Sequence, residues 1–171
     1  MYACEYSIFG RTNVVTERSK PIILVVDDQT TVVRVMGRML SQHYIVHVAT
    51  TGERALEIAE GQQPDLILLD MVMPGMDGLE VCQRLKLNPA THHIPVIFVT
   101  SMDDKHHEAN GFKVGAVDYI GKPPSQEVMH ARVALHLALS RQTKFIDAIA
   151  NGQLEASEEV VSLAKMLVKG E

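Results

Sequence analysis

Five short apolar runs, each followed by a stretch of helical period, constrain this chain more than any other feature. They are IILVV (22–26), IVHVA (45–49), LILL (66–69), PVIFVT (95–100) and VDYI (117–120). All but the second and last are unbroken apolar segments rather than in–out alternations, the mark of strands buried on both faces. Between them the spacing changes. Val32/Val33, Met36 and Met39/Leu40 predict a helix over Thr30–Leu40, and Ala55, Leu56 and Ala59 predict one over Gly52–Glu60. Leu79–Leu87 reads as a third helix, closed by Asn88-Pro89. Asp104–Lys113 is weakly patterned and is expected to be a fourth. Ser125 can cap a fifth, running on from Glu127. Strands alternating with helices require a parallel sheet with helices on both faces, so the fold class is α/β, doubly wound.

In such sheets the ligand sits outside the carboxyl ends of the strands. The first run ends at Asp27-Asp28, the third at Asp70 and the fourth at Thr100-Ser101, while Lys122 follows the fifth. Three carboxylates on one rim repel one another and need a cation. With no His or Cys among them, they suit a hard, oxygen-seeking ion: Mg²⁺, with Mn²⁺ as its substitute. Lys122 would face that metal as a mobile positive charge, and the Thr100 hydroxyl could bond an anion oxygen. A phosphoryl group is the anion such a site fits, with an aspartate as nucleophile. Taken singly, each residue also has a plain structural role. Asp27 or Asp28 could cap the first helix, Asp70 could be a turn residue beside Pro74-Gly75, Thr100 a strand end and Lys122 a solvated charge.

The stretches VVDDQ (25–29), LLDMVMPGMDG (68–78), PVIFVTS (95–101) and GAVDYIGKPP (115–124) resemble the receiver domain of two-component response regulators. The likeness covers about 120 of the 171 residues. It implies a flavodoxin-like (βα)5 domain over residues 21–142, with five parallel strands in the order 2-1-3-4-5. Asp70 resembles the phosphoacceptor. Asp27, Asp28, Asp70 and the Val72 backbone carbonyl resemble the Mg²⁺ ligands. Lys122 resembles the lysine that neutralises the phosphoryl oxygens, Thr100 the switch hydroxyl and Tyr119 the aromatic that follows it. Pro123 stands where the family often has a cis peptide. A sensor histidine kinase or phosphotransfer protein is the implied partner. Val72 and Met102 occupy positions where relatives carry polar side chains that orient water; both being apolar predicts slow self-dephosphorylation.

The remaining features narrow the function. A net charge of −5 argues against direct nucleic-acid binding, and no apolar run approaches membrane-spanning length. Cys4 and Cys82 have no paired spacing, and residues 1–20, an N-terminal extension, lack the pattern of a secretion signal; a cytoplasmic location is expected. His92-His93 and His106-His107 read as surface histidines, since adjacent residues do not face one another. Met71, Met73 and Met76 read as adaptable packing around a mobile loop.

The fifth helix looks two-sided. Val128, Arg132, Leu135, Leu139, Gln142, Ile146 and Ile149 step at heptad spacing, while Met129, Val133 and Leu137 form a second stripe toward the sheet. Residues 143–171 read as a helical extension or linker, broken at Asn151-Gly152, with Val160, Leu163 and Leu167 in step beyond the break. A homodimer through the fifth helix and this extension is the expectation, against a tail that folds back as a hairpin. The extension holds five acidic and three basic residues and is too short for a helix-turn-helix domain, so the expectation is either a stand-alone regulator or a receiver and linker with an output domain beyond this sequence. Among enzymes, a haloacid-dehalogenase-like phosphohydrolase also uses an aspartate nucleophile, but it needs an acid two residues on, where this chain has Val72. A signalling switch rather than an enzyme is expected. A pure interaction module, its phosphorylation vestigial, is a third reading; none of the acidic residues and not the lysine is missing, which counts against it.

Overall fold

The computed structural model describes residues 20–101 and 113–150. Its strands are β1 (Ile22–Val26), β2 (Ile45–Ala49), β3 (Leu66–Asp70), β4 (Val96–Ser101) and β5 (Asp118–Lys122). Its helices are α1 (Thr30–Leu40), α2 (Gly52–Gln62), α3 (Gly78–Leu87) and α4 (Gln126–Ala150). The helix expected over Asp104–Lys113 falls almost wholly outside the described residues; α4 is therefore the fifth helix of the sequence pattern. Met102, His106-His107, residues 1–19 and the segment beyond Ala150 also lie outside them.

The sheet is parallel throughout, in the order β2-β1-β3-β4-β5. β1 and β3 are buried along their whole length, as their unbroken apolar runs require. β2 sits at an edge, and Ile45 and Val48 remain exposed there. Alternate residues feed two cores. Leu24, Val26, Ile67, Leu69, Val96 and Phe98 pack against α2 and α3 through Ala55, Ile58, Val81, Cys82 and Leu85. Ile23, Val25, Leu66, Leu68, Ile97 and Val99 pack against α1 and α4 through Met36, Leu40, Met129, Val133 and Leu137. The inner stripe expected on the last helix is thus in place.

Side chains cap three helices. Thr51 Oγ1 accepts from the Arg54 N–H, Asp77 Oδ1 from Glu80 and Ser125 Oγ from Val128. Of the boundaries that differ from the sequence reading, two bear on the site. β3 includes Asp70, and β5 runs to Lys122 rather than stopping at Ile120. Gly121 and Lys122 have little strand propensity, yet they pair in register with Thr100 and Ser101. The lysine is therefore held by the sheet and does not follow it in a loop. Helix α4 runs unbroken through residues 142–143.

Candidate functional site

Each strand delivers one piece of the site to the same rim. Asp27 and Asp28 follow β1, Asp70 ends β3, Thr100 and Ser101 end β4, and Lys122 ends β5. The Lys122 ammonium lies between two buried carboxylates, 2.7 Å from Asp27 Oδ2 and 2.8 Å from Asp70 Oδ2. Its own side chain is 19% exposed, against 1% and 6% for the two aspartates. One oxygen from each of Asp27, Asp28 and Asp70 falls within a 4.8 Å cluster, with Asp28 on the solvent side. The constellation read from the sequence is assembled.

Asp27 does two jobs. Its Oδ1 accepts from the Gln29 N–H at 2.9 Å, fixing the entry to α1. Among the described residues its buried Oδ2 takes no hydrogen bond from a hydroxyl or amide and meets the Lys122 ammonium. Helix α1 itself has no side-chain cap, so the capping role open to Asp27 or Asp28 in the sequence is not the one Asp27 plays; it braces the turn before the helix and lines the site.

The electrostatics follow from burial and charge. Burial pushes the Asp70 carboxyl above its ordinary range; Lys122 opposes that rise and Asp27 adds to it. Burial works to lower Lys122, but its hydrogen bonds to Asp27 and Asp70 outweigh this and hold the ammonium above its usual value. The site thus holds a fixed positive charge among surplus negative ones. An oxygen-only donor set, with Asp27 Oδ2 met among the described residues by the ammonium, fits a hard divalent cation.

The loop after Asp70 is anchored by grease. Met71, Met73 and Met76 are buried, so they pack firmly into the first core. Val72 between them is 61% exposed, and its N–H points back to Asp70 Oδ1 at 3.5 Å. The loop closes at Gly78, whose N–H donates to the Met71 carbonyl at 2.9 Å. A Cβ on Gly78 would lie 2.1 Å from the Asp70 carbonyl oxygen, so only glycine fits. Sequence reasoning missed this contact.

Thr100 is buried, and its hydroxyl donates to the Ser101 carbonyl at 3.4 Å. Tyr119 lies below the rim, level with Phe98 in register, and stacks on that ring at 5.5 Å. The Lys122–Pro123 peptide is cis. His92 and His93 meet edge to face at 5.7 Å, and neither joins a metal-binding cluster among the described residues. A second polar cluster was not foreseen. Asp118 in β5 meets Arg132 and His136 of α4. The one signal in the sequence was the four-residue step from Arg132 to His136.

Comparison with known proteins agrees with this geometry. The sequence profile described as "Response regulator receiver domain" matches residues 23–134. A probable cyclic di-GMP phosphodiesterase of Vibrio cholerae is 43% identical over 137 residues, covering 80% of this chain and 31% of that protein. The response regulator PleD of Caulobacter vibrioides is 41% identical over 136 residues, covering 79% of this chain and 29% of its own length. The chain thus spans under a third of either relative. Among solved structures, a response regulator from Chloroflexus aurantiacus superposes with a TM-score of 0.67 at 33% identity, over 70% of this chain and 98% of its own. The beryllofluoride-activated DrrB receiver domain gives 0.62 at 31%, over 69% and 97%. Receiver domains are regulatory modules of two-component systems and bind Mg²⁺ at an acidic pocket; with the fold, the rim and the matched profile all in accord, this chain belongs to the response regulator receiver domain family.

Proposed function

We propose that the chain is a phosphorylation-dependent switch in which Asp70 accepts a phosphoryl group from a sensor histidine kinase or phosphotransfer protein in the cytoplasm. The observation that carries this reading is the Lys122 ammonium held between Asp27 and Asp70 on a rim of three clustered carboxylates. A carboxylate oxygen of Asp70 attacks the phosphorus. The bond from phosphorus to the donor imidazole nitrogen breaks, and that nitrogen leaves with the electron pair and takes up a proton. Asp27, Asp28, Asp70 and the Val72 carbonyl would hold Mg²⁺, or Mn²⁺ in its place. When bound, the metal supplies positive charge against the phosphoryl oxygens as they enter a site already rich in carboxylate.

Lys122 contributes from the other side. Once phosphorylation converts the Asp70 carboxylate into an acyl phosphate, a mixed anhydride, the ammonium pairs with a phosphoryl oxygen. The buried Thr100 hydroxyl donates to another, and Tyr119 shifts in the space it leaves. The β5–α4 surface then changes between two states. The apolar seam of α4 passes that change to a second copy of the chain or to an output domain. A phosphohydrolase fits less well, because the exposed side chain two residues after Asp70 is valine and cannot serve as acid–base.

Acetyl phosphate or beryllofluoride with Mg²⁺ tests the reading. One adduct on Asp70 is expected by mass spectrometry, absent in Asp70→Asn, with a rise in oligomeric mass. Modification elsewhere, or none, overturns it.

A further inference from the structure

Helix α4 has a face that its own domain does not use. Val128, Leu135, Leu139 and Ile146 are 47%, 51%, 47% and 61% exposed. They lie on the opposite side from Met129, Val133 and Leu137, which hold the helix to the sheet. The seven positions from Val128 to Ile149 alternate in steps of four and three, which only another helix lying alongside at a shallow angle can fill. Ala131 and Ala138 flank the seam and let a partner backbone approach. A second copy in parallel is the occupant that matches this self-complementary row.

Two members of the row are polar, Arg132 and Gln142, and Arg132 alone among the seven carries a charge. Arg132 occupies a seam position, where a parallel pair would set two guanidinium groups against each other across the two-fold axis. The structure shows how that charge is handled. Arg132 Nη1 lies 3.0 Å and 2.8 Å from the two carboxylate oxygens of Asp118, drawn toward its own domain. His136, one turn further along α4, places Nε2 2.9 Å from Asp118 Oδ2. Asp118 Oδ1 also accepts from the Tyr119 N–H at 2.8 Å. The carboxylate therefore grips α4 twice and β5 once. It sits at one end of the five-residue strand whose other end is Lys122.

We infer that Asp118, with His136, is a positioning clamp that neutralises Arg132 and clears the α4 seam for a second copy. Because the clamp and Lys122 share β5, a shift of that strand changes how well the seam is cleared. This rests on the α4 dimer proposed above and assigns its control to named groups.

The test is the dimer dissociation constant of the full chain by sedimentation equilibrium, with and without beryllofluoride and Mg²⁺. Asp118→Asn is expected to weaken the beryllofluoride-bound dimer about tenfold, equivalent to about 1.4 kcal/mol. Arg132→Leu removes the charge from the row and is expected to dimerise without beryllofluoride. Adding Asp118→Asn to Arg132→Leu is expected to change nothing, which also shows that the Asn variant folds. If Asp118→Asn dimerises as the parent does while Arg132→Leu is a constitutive dimer, the clamp is overturned and the seam stands. If Arg132→Leu stays monomeric, the seam fails and the clamp with it. If only the double variant is monomeric, Asp118 acts on something other than Arg132 and the inference is overturned.

Discussion

Replacing Lys122 by methionine removes the ammonium while keeping an unbranched apolar stem. The parent holds Asp27 and Asp70 at 1% and 6% exposure with that ammonium 2.7 and 2.8 Å away. Deleting one partner of a buried ion pair leaves an uncompensated charge and costs about 3–5 kcal/mol. The site opens toward solvent at Asp28, and water relieves part of the penalty. The lower end, about 3 kcal/mol, is the expected loss in urea unfolding at neutral pH. If stranded carboxylate is the cause, neutralising Asp70 must recover stability. The double variant Asp70→Asn/Lys122→Met should then be more stable than Lys122→Met by about 1–2 kcal/mol. Mg²⁺ should also raise the unfolding midpoint of Lys122→Met more than that of the parent, since no ammonium competes for the oxygens. A loss under about 0.5 kcal/mol, or a double variant no more stable than the single, refutes the reasoning.

Further outcomes follow from the same structure. Gly78→Ala forces a methyl group against the Asp70 carbonyl and should destabilise by about 3 kcal/mol or more. Gly61→Ala, with nothing within 4 Å of the added carbon inside α2, should stabilise by about 0.5–1 kcal/mol; paired thermal melts decide both. Burial pushes the Cys82 thiol up to about 11 from an ordinary 9.0. The unfolded thiol ionises first, so stability should fall between those two pH values by up to about 3 kcal/mol, and a parent-minus-Cys82→Ala difference curve should isolate that limb. Val72→Glu should shorten the acyl-phosphate lifetime by about tenfold or more, followed by loss of label from Asp70. A parent half-life of seconds in Mg²⁺ would show that the apolar Val72 does not protect the phosphate.

The sheet was legible because its central strands are greasy on both sides, and only a parallel sheet clothed in helices buries such segments. The rim was legible for a related reason: a run such as Leu66–Leu69 that stops on Asp70 marks the strand end that carries chemistry. Two things escaped. The end of β5 was cut short at Ile120, because Gly121 and Lys122 look like loop residues and are held by pairing with β4. The Asp118–Arg132–His136 cluster joins residues 14 and 18 positions apart on different elements, and no periodicity within one element encodes it. Lys122 was foreseen at the site but opposite a metal; its seat between Asp27 and Asp70 depends on side-chain reach, which strand order does not specify.

The contact at Gly78 divides the site into a stiff side and a compliant one. The Asp70 main chain is jammed against the first turn of α3, while Met71, Met73 and Met76 moor the intervening loop in the core. On that flank there is no slack to take up a displacement. Across the site, Lys122 is joined to Asp70 through its side chain, which rotates without breaking the sheet. A push delivered at the carboxylate of Asp70 therefore has one soft exit, toward β5 and the helix that follows it. The α3 flank acts as the anvil.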